Sequence, residues 1–239
     1  MVEDTKRQLL EWAETYHCAG FIPHDPVQFP HRYLQKQDIE ISGLLTAVMS
    51  FGNRRQILKK ADELHGLIGV SPYGYVLARQ WEVDFPASDR RSFYRMLSYS
   101  DFHAYFSRLH KAYSAFESLE DALHAYSGTP MERLCAFLNV SAKSPQKKLN
   151  MFLRWMVRSK DKGVDFGLWK SVKPSELYLP LDVHCARRGR TLGLLTRKQN
   201  DRKAVEEITE RLREFCPEDP AKYDFALFAP EVEKALAER

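Results

Sequence analysis

The chain has 239 residues, 44% hydrophobic and 28% charged, a globular composition long enough for one large core or two smaller lobes. With 11 Gly and 12 Pro it is neither collagen-like nor low-complexity, and no apolar window reaches the roughly 18 residues of a membrane span. The net charge of +4 hides an asymmetry: from Lys143 to Arg213, eighteen Lys and Arg stand against eight Asp and Glu, a local +10 that leaves −6 elsewhere.

In chain order, helices dominate. The acidic start, MVEDTKRQLLEWAETY, lacks the apolar stretch of a secretory signal, and Glu3 to Tyr16 reads as a first helix with Leu9, Leu10, Trp12, Ala13 and Tyr16 near one face. A connector broken by Pro23, Pro26 and Pro30 follows. A second helix is expected after Asp38, through IEISGLLTAVMSF, apolar nearly all round and therefore buried, ending at Gly52-Asn53. Further helices are expected over Gln56–Gly66, from Ser71-Pro72, and over Ser88–Leu97, His103–Tyr113, Leu119–Tyr126, Pro130–Phe137 and Pro145–Arg158. After a loop, one more begins at Asp182 and another spans Asp201–Phe215. Asp219-Pro220 reads as N-cap and first position of a last helix, broken or kinked at Pro230. No period-two run argues for a sheet, so the expected class is all-α. Cys18, Cys135, Cys185 and Cys216 show no C-x-x-C spacing. We therefore expect reduced thiols in a cytoplasmic protein, with no zinc, iron–sulfur cluster or other cofactor.

Asp182 follows a proline-containing loop and opens a helix, where its carboxylate can accept first-turn amides as a plain N-cap. Lys147 and Lys148 open another helix, an unfavourable place for cations unless they have work to do there, such as contacting phosphate. Arg154 and Arg158 are i,i+4 neighbours, either a phosphate clamp or salt-bridge partners, and Trp155 beside them has the spacing of a core residue. The basic segment suggests a polyanion partner, although solvated helix faces carry charge runs as well.

The run Leu181-Asp182-Val183-His184 through Leu195 resembles a segment of the helix-hairpin-helix DNA glycosylase superfamily that reads roughly Asp-Thr-His, two residues, Arg-Val, then Arg-Leu-Gly-Leu. Asp182 matches the catalytic aspartate, His184 the histidine and Arg187 the arginine, with Val183 where Thr is usual. Upstream, LLTAVMSFGNRRQILKKADEL resembles the superfamily's buried helix and its Ser-x-Gln-x-Thr loop: Ser50 matches the Ser, and Gly52-Asn53-Arg54 replaces Gln and Thr. The helix from Leu149 to Arg158, PLDVH and KYDFALF are similar to an uncharacterised bacterial family within the superfamily. A longer gap to the Asp and a lysine before an apolar helix are similar to the archaeal 8-oxoguanine glycosylases.

The resemblance implies a two-lobed helical DNA-glycosylase fold with a degenerate hairpin. One lobe would be formed by residues 38–176, the other by 1–37 with 177–239. The glycine-rich hairpin is replaced by Leu138 to Gln146, where Ser141 and Ser144 would cap the next helix and offer amides to phosphate. The resemblance also implies a damaged duplex DNA substrate; the oligomeric state is not readable from the sequence, a monomer being favoured. Asp182 would stabilise positive charge on the sugar, and Lys147 or Lys148 would be a Schiff-base nucleophile, only one of them facing the pocket because adjacent residues differ by about 100°. Asn53, Arg54 and Arg55 would meet bases or phosphates, and Asp224 and Phe228 would line the base pocket or pack a core. The alternative is a glycosylase-fold module that binds DNA or RNA without catalysis.

Overall fold

The computed structural model describes residues 2–228 and is predominantly helical. The expected break or kink at Pro230 lies outside the described residues. In chain order the helices are α1 (Val2–Tyr16), α2 (Lys36–Met49), α3 (Arg54–Ile68), α4 (Pro72–Leu77) and α5 (Trp81–Asp84). A hairpin of β1 (Ser92–Tyr94) and β2 (Leu97–Ser98) precedes α6 (Tyr99–Tyr113), α7 (Leu119–Leu123), α8 (Pro130–Leu138), α9 (Lys147–Val157), α10 (Val183–Thr191) and α11 (Arg202–Phe215). A 3-10 turn, Pro220–Tyr223, leads into helical residues 224–228.

The chain divides into a terminal unit, Met1–Phe21 with Ser141–Arg239, and a middle unit, Ile22–Val140. These boundaries differ from 37/38 and 176/177, and the packing after α9 explains the second. The Phe166 and Trp169 amides donate to the carbonyls of Trp155 (2.8 Å) and Met156 (3.0 Å), and the Trp169 ring meets Phe152 edge-on at 5.4 Å. The segment following α9 is thereby fastened to α9 itself.

In the middle unit, α2 is the buried helix its composition implies: every residue from Asp38 to Met49 is buried. Two of its acids do structural work. Glu40 accepts from the Tyr113 hydroxyl (2.9 Å) and the Leu119 amide (3.0 Å). Asp38 lies inside the first turn rather than ahead of it, and its carboxylate serves the start of α4, accepting from the Tyr73 amide (2.7 Å) and the Ser71 hydroxyl (3.2 Å).

The helix expected over Ser88–Leu97 is instead the β1–β2 hairpin. Phe93 is buried there among Phe85, Tyr99 and Phe102, so aromatic packing overrides local helical spacing. Three strand residues are too few to show period two. The proline connector contains short 3-10 turns that begin at Pro26 and Pro30, which supply the fixed φ of a first helical position.

The terminal unit contains an apolar core. Leu9 and Ala13 of α1, Ala186 of α10, Val205, Ile208 and Leu212 of α11, and Tyr223 and Leu227 all enter it. α10 and α11 touch at Gly189, where an added Cβ would fall 2.6 Å from the Ile208 Cδ1. The Arg190 guanidinium closes the following loop by donating to the Arg197 and Lys198 carbonyls and the Asn200 amide oxygen (2.8, 2.9 and 2.6 Å).

Candidate functional site

Asp182 is the N-cap of α10. One carboxylate oxygen accepts from the His184 and Cys185 amides, each at 2.9 Å, so the positive end of the helix holds an anion in a half-buried position. The capping role is therefore real, and it also fixes this carboxylate in place. His184 is half-buried and Arg187 is exposed on the same helix.

A second carboxylate lies in the same neighbourhood. Burial drives the Asp224 pKa up, the Arg154 charge pulls it back, the negative charge of Asp182 raises it again and the Lys147 ammonium lowers it. Asp182 and Lys147 thus both act on the ionisation of Asp224. The buried Cys185 thiol lies 3.9 Å from an Asp224 oxygen, and burial, then the Asp182 and Asp224 charges, push that thiol well above its ordinary value. It is a neutral spacer between carboxylates.

The two lysines separate clearly. Lys147 is the one whose charge reaches Asp224. Lys148 is half-buried, and its pKa is lowered by burial and then by the like charge of Lys147. One helical turn after Lys147, Asn150 is 1% exposed; its amide nitrogen donates to the Pro145 carbonyl (3.1 Å) while its buried Oδ1 has no hydrogen-bond partner. Among the described residues that acceptor is unpaired, and an unpaired buried acceptor costs stability.

Arg154 and Arg158 are salt-bridge partners and not a phosphate clamp. Both are buried. Arg154 donates to Asp165 (3.3 Å) and to Asp224, with its guanidinium over the Phe225 ring at 4.5 Å. Arg158 donates to Asp165 (2.7 Å) and to Asp219 (2.9 Å). Asp165 also lies 3.3 Å from His17, whose ring stacks on Phe225. Burial would raise Asp165, but Arg154, the His17 hydrogen bond and Arg158 hold it below its ordinary value; burial lowers His17 despite Asp165.

Trp155 is fully buried core. Phe228 is half-buried against the core and meets Phe21 edge-on at 6.3 Å, and each Asp224 oxygen has a partner within the unit. Asp219 does not cap the 3-10 turn it precedes, because its carboxylate is committed to Arg158.

His17, Asp165 and Asp219 have no motif that marks them in the sequence. The available signal was indirect: an arginine embedded in Phe152-Leu153-Arg154-Trp155-Met156 must be buried and must find an acid.

The remaining expected residues lie in the middle unit. Ser50 is buried at the end of α2 and donates to the Thr46 carbonyl (2.8 Å), a helix-terminal role. Asn53 is the N-cap of α3, accepting from the Gln56 amide (3.3 Å). Arg54 lies 3.7 Å from Asp25, whereas Gly52, Asn53 and Arg55 are exposed.

In the hairpin-like segment neither serine caps α9. Ser141 accepts from the Lys143 amide (3.2 Å), Ser144 lies 3.5 Å from the Ser141 carbonyl, and the N-cap is Gln146, left-handed at φ 48° and without a side-chain cap.

Among the described residues no group of three or more His, Cys, Asp or Glu could hold a metal ion, and no helix is long and apolar enough to cross a membrane. No curated protein and no solved structure matches the chain. A family model described as "protein of unknown function (DUF2400)" matches residues 25–233, and the chain belongs to that family.

Proposed function

We propose that this protein is a DNA base-excision glycosylase with lyase activity, its chemistry centred on Asp182 and Lys147. The observation that carries the reading is the shared electrostatic neighbourhood of Asp182, Asp224 and Lys147, built from three separate parts of the chain. The resemblance of the Asp182 segment to the glycosylase superfamily supplies the reaction class.

Breaking an N-glycosidic bond builds positive charge on the sugar, and a carboxylate fixed at a helix N-terminus is preorganised to face it. The Lys147 ammonium gives a proton to Asp182, and the free amine attacks C1′ as the C1′–N bond breaks; the departing base takes the proton from Asp182, which returns to the carboxylate, and the C1′–O4′ bond then opens, with O4′ taking a proton from the attached nitrogen, to leave a Schiff base. The resulting Schiff base permits strand cleavage by β-elimination. Asp224 acts on this chemistry through its charge, with Arg154 setting how much of that charge is felt.

The test is borohydride trapping on duplexes carrying 8-oxoguanine, uracil, an oxidised pyrimidine or an abasic site. Wild type is expected to form an adduct on a damaged base that Lys147→Gln abolishes, Lys148→Gln retains and Asp182→Asn slows at least a hundredfold. Base release without an adduct makes the enzyme monofunctional. Binding without base release on any duplex refutes catalysis and leaves a binding module.

A further inference from the structure

Three turns meet at the end of the middle unit where α2 begins. The Tyr33 hydroxyl donates to the Gly69 carbonyl (3.1 Å), which ties the turn before α2 to the turn after α3. Asp38, in the first turn of α2, accepts from the Ser71 hydroxyl (3.2 Å) and the Tyr73 amide (2.7 Å), a second tie to the same turn. The Gln37 side chain donates to the Glu117 carbonyl (3.0 Å) and Lys36 donates to Glu120 (2.7 Å), which fastens the turn between α6 and α7.

These bonds fix the backbone of the surface, yet the side chains it presents are apolar and uncovered. Leu34, next to Tyr33, is 97% exposed, and Val70, next to Gly69, is 96% exposed. Leu67 and Phe116, beside the same ties, are each about two-fifths exposed. Gly66 and Gly69 leave the surface open, since a Cβ on either would meet nothing within 4 Å. Single exposed apolar residues are ordinary, whereas four on joined turns make a patch on the order of a few hundred Å², the size at which patches serve contacts.

Charge selects the occupant. The cations bordering the patch already meet acids: Arg32 lies 2.8 Å from Asp62, and Lys36 pairs with Glu120. A nucleic acid or an anionic membrane calls for cations that no acid neutralises. The Arg32–Asp62 pair is itself exposed and presents both signs at the rim. An apolar middle with one exposed pair of opposite charges complements its own copy turned about a two-fold axis: apolar side chains meet, and each Arg32 faces the other copy's Asp62. The patch and its rim fall at the low end of the roughly 800 Å² per partner of a standard interface, which sets a weak, reversible association.

We propose that a second copy of this chain docks on the turns around Leu34, Val70 and Phe116 and forms a two-fold dimer. The proposal does not rest on the glycosylase reading. The loop that follows α2 lies at the other end of this 14-residue helix, roughly 20 Å away at the α-helical rise, so dimerisation leaves it open.

The experiment is sedimentation velocity of the full chain across concentrations, with a dimer dissociation constant on the order of 10 µM expected for wild type. Leu34→Ser and Val70→Ser should each weaken the dimer about a hundredfold, a tenfold loss at each of the two symmetric places where the side chain is covered. Both should melt with wild type in dilute solution, because neither side chain is buried within one chain. Met96→Ser is the control: that side chain is 79% exposed on the β1–β2 hairpin, which is bonded to Phe51 beyond the far end of α2, and its loss should leave the dimer unchanged. Arg32→Asp and Asp62→Arg should each stay monomeric, while an equimolar mixture of the two should dimerise, since opposite rims then face one another.

A wild type that stays monomeric up to roughly twenty times that constant overturns the proposal. So does a dimer that both serine variants retain, or one that Met96→Ser weakens equally. Open-ended assembly, or a charge-reversed mixture that stays monomeric, overturns the two-fold docking. Monomeric wild type that binds phosphatidylcholine vesicles overturns it as well and gives the face to a lipid surface.

Discussion

Asp165 is the centre of the buried charge network, and replacing it with Asn is the sharpest test of that network. Its carboxylate is 1% exposed and faces three donors: Arg158 at 2.7 Å, Arg154 at 3.3 Å and His17 at 3.3 Å. Removing one partner of a buried pair costs about 3–5 kcal/mol, because the other charge stays buried. Arg154 retains Asp224 and Arg158 retains Asp219, which places the expected loss near the lower limit, about 3 kcal/mol. For a chain of this size that corresponds to a fall in Tm of roughly 6–12 °C. Urea and thermal unfolding followed through Trp155 and Trp169 would read it, since both tryptophans are buried in the terminal unit. The pKa of Asp165 is held below 3.8, so its contribution is complete above that pH and is lost as pH falls through the folded value. The gap between wild type and variant should therefore close in acid. In an Arg158→Met background the same substitution should cost at least about 1 kcal/mol less. A loss under about 0.5 kcal/mol, or strict additivity with Arg158→Met, would refute the reasoning.

Gly189→Ala should cost about 1–3 kcal/mol by denaturant titration, with part of the loss recovered by Ile208→Val, which removes the methyl that the new Cβ meets. His65 is buried between the Ser42 hydroxyl and the Ala61 carbonyl, and burial lowers its pKa to about 4. Its neutral form therefore supports folding above pH 6.5, and stability should fall by roughly 3 kcal/mol as pH drops from there through about 4, a loss absent in His65→Gln. Asp182→Ala should lower stability by only about 1 kcal/mol, the value of an N-cap, while abolishing any base release, so that a folded and inactive protein results. Asp224 has a raised pKa, and its contribution is therefore complete at low pH and lost as pH rises through the folded value; the stability of wild type relative to Asp224→Asn should fall across that window.

The helices that were legible were those announced by their ends. Asp182 and Asp201 each supply a cap that the structure uses, and Pro130 stands at the first position of its helix. α2 was legible because a helix apolar on every side has only one place to be. The β1–β2 hairpin was not, since Phe93 and Tyr94 belong to it only because an aromatic cluster from α5, α6 and the segments between them receives them. In the candidate site, Asp182 and Lys147 were marked by their places at helix starts. Asp165 and His17, and the ion-pairing role of Asp219, were invisible because they are defined by partners elsewhere in the sequence, such as Arg158 and Asp219, 61 positions apart.

The same logic revises what the basic segment means. Counted along the chain, Lys143 to Arg213 carries +10, which invites a search for a phosphate-binding surface within it. In the fold, Arg154 and Arg158 are consumed by Asp165 inside the segment and by Asp219 and Asp224 beyond its end. Arg190 is spent on backbone carbonyls, Arg197 on Asp201, Arg202 on Glu206 and Arg213 on Glu210. Linear charge density thus overstates surface charge, because a buried acid just outside the counting window neutralises a cation within it. The cations that face outward with no acid beside them among the described residues include Arg187 in this segment, and Arg55 and Arg95 in the middle unit, which the count had assigned to the acidic remainder. A contact with phosphate is better sought at such residues than where the sequence is most basic, because an arginine already desolvated against carboxylates must break those bonds before it can bind anything else.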